Sequence, residues 1–153
     1  MRKLKIPSLA GKDKEIYIEC ASDFTHNKKY ANIALSYVDE VEKCSNEYTA
    51  YVPENLVGFP YISICDEEKE IINKVYEQKF APKGSIGRKY YDCIIGNAKG
   101  RCPICGGGKL KNLDHFLPKS KYPLLCVTPI NLIPVCRDCN MEKGATASED
   151  YYE

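Results

Sequence analysis

Two cysteine pairs are the plainest chemical signal in this chain: Cys102-Pro-Ile-Cys105 and, after a gap of thirty residues, Cys136-Arg-Asp-Cys139. Together they supply four thiolates, and zinc takes four such ligands in a tetrahedron at about 2.3 Å. Two intervening residues let the backbone turn so that both sulfurs of a pair face one point. Gly106-Gly107-Gly108 gives the first turn the φ freedom it needs. With all four positions filled by protein, the ion is structural and has no open position for catalysis. The bland alternative is a set of buried, inert thiols. It fits poorly with two pairs flanked by Pro and Gly.

The chain has nine cysteines. Cys20, Cys44, Cys65, Cys93 and Cys126 each stand alone among apolar neighbours and read as core residues. The start, MRKLKIPSLAGKDK, has basic residues but no apolar run behind them, so a secretory signal is not expected. A cytoplasmic location follows as an expectation, and in a reducing compartment closely paired thiols hold metal more often than they form disulfides. The longest uncharged run, Tyr122 to Cys136, is short and holds Pro123, Pro129 and Pro134, so no membrane span is expected.

Between the pairs runs GGGKLKNLDHFLPKSKYPLLCVTPINLIPVC. Leu110 and Leu113 lead to Asp114-His115 as a first strand, and Asn131 to Val135 forms a second. Asp138 is placed to cap a helix carrying Asn140, Met141 and Lys143. The order is strand, long loop, strand, helix, with the cysteine pairs clipping the outer ends together. Adjacent strand residues point to opposite faces. For Asp114 and His115 to share one site, the strand must end or bend there, as Pro118 and the loop suggest.

The string CPIC…LDHFLPKSKYP…NLIPVCRDCNMEKG resembles the HNH, or ββα-metal, endonucleases, in the branch braced by a four-cysteine zinc. The resemblance covers about residues 100–147 and nothing in 1–98. It implies that His115 is the general base that activates water and that Asn131 steadies the loop aiming the histidine. Asp114 and Asn140 become the protein ligands of one catalytic divalent ion, Mg²⁺ or Mn²⁺, beside the structural Zn²⁺ of Cys102, Cys105, Cys136 and Cys139. Chains of this texture are similar to bacterial nucleases of defence or mobile-element systems, some working beside a partner ATPase.

The chemistry is sound without the family. Phosphodiester hydrolysis needs a nucleophile, charge stabilisation at the phosphate and help for the departing 3′-oxygen, and a hard divalent ion supplies the last two. Mg²⁺ prefers oxygen ligands and keeps several waters, so one carboxylate and one amide oxygen suffice. A histidine of ordinary pKa near 6.5 is largely neutral at cell pH and accepts the water proton. Taken singly, Asp114 and Asn140 read as caps and His115 as a surface histidine. Their joint occurrence at matching positions favours the site. His26 has no such company and sits at a helix start.

Charge is unevenly spread. Residues 83–144 carry a surplus of seven positive charges, whereas residues 1–82 have a net charge of −3 and the tail 145–153 adds three acids. A polyanion would prefer the C-terminal half. Lys109, Lys111, Lys119, Lys121 and Arg137 are assigned to phosphate contacts, which fix position rather than sequence; the alternative is a solubilising surface. Tyr90, Tyr91 and Tyr122 fit core or surface contacts better than base stacking.

The elements that must position these groups are mostly helical. EIYIEC alternates and reads as an edge strand. NKKYANIALSYVDEVEKC has helical spacing, with Thr25 or Asn27 as its cap. Residues 47–65 read as irregular with a short helix at each end. DEEKEIINKVYEQKF is a helix with acids in its first turn and Lys in its last. SIGRKYYDCIIGNAKG is another, with Ser85 capping it and Gly96 or Gly100 ending it. Apolar residues at 44% and charged ones at 28% describe a globular chain rather than a disordered one. The expected class is α+β: a mainly helical region, 1–98, suited to partner docking or DNA binding, then a ββα-metal module, 99–153. The expected activity is DNA cleavage. The alternatives are a non-catalytic zinc module that binds nucleic acid or protein, and an RNA-cleaving nuclease of the same type.

Overall fold

Ile16, Tyr17, Cys20 and Ala21 are all buried, a spacing that only a helix can turn to one side. They lie on helix α1, Asp13–Ser22, which replaces the edge strand suggested by EIYIEC. A strand would have buried Ile18 with Ile16, yet Ile18 is exposed. Six residues of alternation carry too little information to outweigh burial against neighbouring helices. The Tyr17 hydroxyl, for instance, donates to the Ala34 carbonyl at 2.7 Å.

The computed structural model describes residues 9–51, 59–60 and 62–143. The basic start 1–8, part of the stretch read as irregular (52–58 and 61) and the acidic tail 144–153 lie outside them. The helix expected from Asn27 is two: α2, Lys28–Ser36, and α3, Val38–Tyr51. Asn27 caps α2, its side-chain oxygen accepting the Tyr30 N–H at 3.1 Å. The break falls at Tyr37, whose hydroxyl donates to the Glu68 carboxylate. The turn sends α2 against the helix that follows, α4 (Asp66–Lys79), and α3 against α1.

Helix α4, Asp66–Lys79, has the expected acids at its start and Lys79 at its end. It buries Ile71, Ile72 and Val75. Helix α5, Arg88–Gly96, is capped differently from the expectation: Ser85 Oγ donates to the Phe80 carbonyl, and no side chain caps the helix start at Gly87. Gly87 serves close approach instead. A Cβ there would lie 2.7 Å from both Cys20 Sγ and the Lys79 carbonyl oxygen.

The hairpin follows, β1 (Leu110–His115) antiparallel to β2 (Leu132–Cys136), with Leu113 opposite Pro134 and His115 opposite Leu132. Pro134 is tolerated because each strand of a two-stranded sheet is an edge. Asn131 falls in the 3-10 turn Pro129–Asn131 just before β2 rather than in the strand. Helix α6, Arg137–Lys143, starts directly after β2, so Asp138 sits inside its first turn instead of capping it.

One apolar core runs across residue 98, joining Ile72, Val75 and Phe80 with Tyr91, Ile94, Leu113, Phe116, Leu125 and Leu132. A smaller cluster holds Cys102, Cys136 and Cys139 with Ile104 and Leu110. The architecture is α+β. Of the five lone cysteines, Cys20, Cys44 and Cys126 are buried as expected, Cys93 is half-buried and Cys65 is exposed. Ile62, just before Cys65, is exposed with it, because this segment approaches α4 along the surface. Among the described residues no helix is long and apolar enough to cross a membrane.

Candidate active site and metal centre

The sulfurs of Cys102, Cys105, Cys136 and Cys139 all lie within 4.8 Å of one another. Four ligands at tetrahedral zinc distances are separated by about 3.8 Å. The Cys105 and Cys136 sulfurs stand 3.8 Å apart. The cluster can therefore hold a structural metal ion such as zinc. It is built from three elements: the turn 102–108, the end of β2 and the first turn of α6. Register makes it possible, because Leu110 pairs with Cys136 and so brings the two cysteine pairs side by side.

Gly108 is obligatory in this arrangement. Its N–H donates to Cys105 Sγ at 3.2 Å, and a Cβ would lie 2.6 Å from both Cβ and Sγ of Cys136. Backbone N–H groups of Gly107 and Gly108 pull the Cys105 thiol down to about 6. Burial opposes ionisation of Cys102, yet the N–H groups of Cys105, Cys136 and Ile104 hold its thiol below the usual range. Cys139 is pushed up by burial and by the three neighbouring thiols. A dication at the centre removes that repulsion and favours four thiolates.

His115 ends β1 and is buried. Its Nε2 lies 2.8 Å from the Cys126 carbonyl oxygen. A carbonyl can only accept, so Nε2 carries the hydrogen and Nδ1 is the basic nitrogen of the neutral ring. The ring of Tyr76, on α4, meets the imidazole edge to face with centroids 4.4 Å apart.

Asn131 is fully buried and holds the backbone that follows His115. Its carbonyl accepts the Phe116 N–H at 2.8 Å. Its side-chain oxygen accepts the Leu117 N–H at 2.9 Å, and its Nδ2 donates to the carbonyls of Leu117 and Leu125 at 3.1 and 3.3 Å. One side chain thus ties together both ends of the loop between β1 and β2.

Asp114 is half-buried on the strand face opposite Leu113 and His115. Its charge is felt at Tyr76. Burial, then the Tyr91 hydroxyl and then the Asp114 charge hold the Tyr76 phenol well above its usual range. Asn140 is half-buried on α6, one residue after Cys139, and α6 rests on both strands. The structure therefore has Asn131 hold the two residues that follow His115, keeps Asp114 next to His115 on β1, and carries Asn140 on the helix that holds Cys139.

No protein-family model matches the chain. Two curated proteins are similar to part of it. Protein ea31 of Escherichia phage lambda is 47% identical over 81 residues, which is 52% of this chain and 27% of that one. Septu protein PtuB of Bacillus thuringiensis is 42% identical over 48 residues, 31% of this chain and 19% of that one. The chain thus spans about a quarter or less of these relatives' lengths. No solved structure matches it.

The basic side chains differ among themselves. Lys109, Lys111, Lys121 and Arg137 are exposed. Lys119 instead pairs with Glu77 of α4 at 2.6 Å. The three tyrosines serve internal contacts: Tyr90 bonds Glu19, Tyr91 accepts the Leu113 N–H at 3.2 Å, and Tyr122 donates to the Phe59 carbonyl at 3.1 Å. Sequence reasoning missed Cys126 and Tyr76 as neighbours of His115. Cys126 acts through its carbonyl, which leaves no trace in residue type. Tyr76 shows in the sequence only as part of an apolar helix face.

Proposed function

We propose that this chain is a metal-dependent endonuclease of the HNH type that hydrolyses phosphodiester bonds in DNA. The observation that carries the reading is the clamp on His115. With Nε2 committed to the Cys126 carbonyl at 2.8 Å, the ring is held as the tautomer whose Nδ1 is a base, next to the Asp114 carboxylate in the chain. In this reading Nδ1 takes a proton from the water that attacks phosphorus, and the bond from phosphorus to the 3′-oxygen breaks. Asn131 keeps the loop behind His115 from shifting as the ring becomes cationic.

Asp114 and Asn140 offer a carboxylate and an amide oxygen, hard donors that suit Mg²⁺ or Mn²⁺. When bound, such an ion supplies Lewis-acid stabilisation of the phosphate and of the leaving oxygen. Cys139 anchors the helical turn that carries Asn140, so the structural metal sets where that amide can reach. The similarity to a phage protein and to a Septu protein supports a setting in defence or mobile elements. A partner ATPase docking on the helical face belongs to the same expectation, and co-expression with affinity capture tests it.

Nicking of supercoiled plasmid with Mg²⁺ or Mn²⁺ tests the activity, comparing wild type with His115→Ala. Metal-dependent cutting that His115→Ala abolishes, with DNA binding intact, is the expected result. The burial of His115 favours a second reading, a zinc-braced binding module in which this histidine only braces the loop. Absence of metal-dependent cutting by pure wild type, alone or with its partner, selects that module. Matched RNA and DNA substrates decide which nucleic acid is cut.

A further inference from the structure

We infer that Tyr76 on α4 is a positioning residue for His115, so that the helical region builds one wall of the candidate active site. The inference rests on the catalytic reading of His115 for its consequence in turnover, and on geometry alone for its consequence in the imidazole.

Two of the contacts of the His115 ring bear on its orientation. The Cys126 carbonyl holds it at one edge through Nε2, and the Tyr76 ring meets it 4.4 Å away at an interplanar angle of 72°. The hydrogen bond at Nε2 holds one edge of the ring, and the Tyr76 ring sets a flat wall against it. Tyr76 is itself held. It stacks on Phe80, centroids 5.5 Å apart and 27° between planes, and Phe80 is fully buried against Tyr91 at 6.1 Å. The Tyr91 hydroxyl then accepts the N–H of Leu113, two residues before His115 on β1. The chain of contacts from His115 through Tyr76, Phe80 and Tyr91 returns to its own strand. Arg88 lies over the outer face of Tyr91, 4.1 Å from its ring centroid.

Cys126 closes the same circuit from the other side. Its thiol donates to the Ile72 carbonyl at 3.6 Å, one turn before Tyr76 on α4, while its carbonyl receives the His115 hydrogen. Both surfaces that orient the imidazole are therefore registered to α4. What the contact demands of residue 76 is a flat ring of this size, and a phenyl ring satisfies it as well as a phenol.

The test compares Tyr76→Phe and Tyr76→Leu with wild type in the full chain loaded with zinc, after thermal unfolding confirms that each folds. Long-range ¹H–¹⁵N spectra read the imidazole tautomer directly. The chain has two histidines, so His115→Gln assigns the signals. Wild type and Tyr76→Phe are expected to show His115 as the single Nε2–H form, and Tyr76→Leu a mixture or broadened signals. In plasmid cleavage Tyr76→Leu is expected to lose about 100-fold in kcat with KM unchanged, the scale of a small misplacement of a reacting group. Tyr76→Phe retains wild-type kcat. A folded Tyr76→Leu that keeps both the single tautomer and the wild-type rate overturns the inference. Equal loss in Tyr76→Phe and Tyr76→Leu also overturns it, by assigning the role to the hydroxyl. If no chain, wild type included, cuts nucleic acid, the nuclease reading fails while the tautomer comparison still decides Tyr76.

Discussion

The side-chain amide of Asn131 engages both backbone groups of Leu117, accepting its N–H at 2.9 Å and donating to its carbonyl at 3.1 Å. The same Nδ2 reaches the Leu125 carbonyl, which also accepts the Thr128 N–H, so the two Leu117 groups are the ones that depend on this side chain. Each buried group left unsatisfied costs about 1–3 kcal/mol. Asn131→Ala should therefore lower stability by about 2 kcal/mol or more, read as a fall in the urea midpoint. Asn131→Asp should be worse at neutral pH, because it turns a carboxylate toward two carbonyls. It should recover as pH falls and the protonated acid can donate again.

Gly108 sits where no side chain fits. The Cβ of Gly108→Ala would lie 2.6 Å from Cys136 Sγ, so a metal ligand has to move. Zinc per chain, measured after dialysis against a weak chelator, should drop from one toward zero in Gly108→Ala. Gly107→Ala, with open space at its Cβ, should keep its metal.

Helices α1 and α5 are tied by Glu19, which accepts from Lys89 and from the Tyr90 hydroxyl. These bonds hold the Glu19 carboxyl below its usual 4.5. A depressed carboxyl pKa contributes stability that is present above the unfolded value and lost as pH falls through the folded one. Glu19→Gln should lower the urea midpoint relative to wild type at pH 7. That difference should disappear below about pH 3, where both chains lack the charge.

Lys119 is already partnered by Glu77, whereas Lys121 is exposed. In the DNA-binding reading, Lys121→Ala should reduce the slope of log affinity against log salt by about one. Lys119→Ala should reduce it by less. Glu77→Gln should release Lys119 and steepen the slope, measured by fluorescence anisotropy on a short duplex across salt concentrations.

Much of the site was legible in the residues. Paired cysteines announce their own geometry, because a two-residue gap and four thiolates leave few alternatives to a common metal. The hairpin between them was legible as well, from apolar runs bounded by proline and glycine. Helix α4 was readable because its acids, its lysine and its apolar face agree. The failures share a cause. EIYIEC alternates over six residues, but Tyr17 and Ala21 found helical neighbours, and α1 formed. The break at Tyr37 follows from helices that must turn to cover one core, a demand no local pattern records.

By itself the sequence determined which groups are present and which of them share a turn: the four thiols, the Asp114-His115 pair, and Asn140 one residue behind its cysteine. Only the tertiary structure decided the state of His115. Its tautomer depends on a carbonyl eleven residues away in the chain and its orientation on a ring of α4, thirty-nine residues upstream. Backbone carbonyls are the same in every residue, and contacts between distant helices follow from how a whole core closes. Neither is written in the local order of side chains.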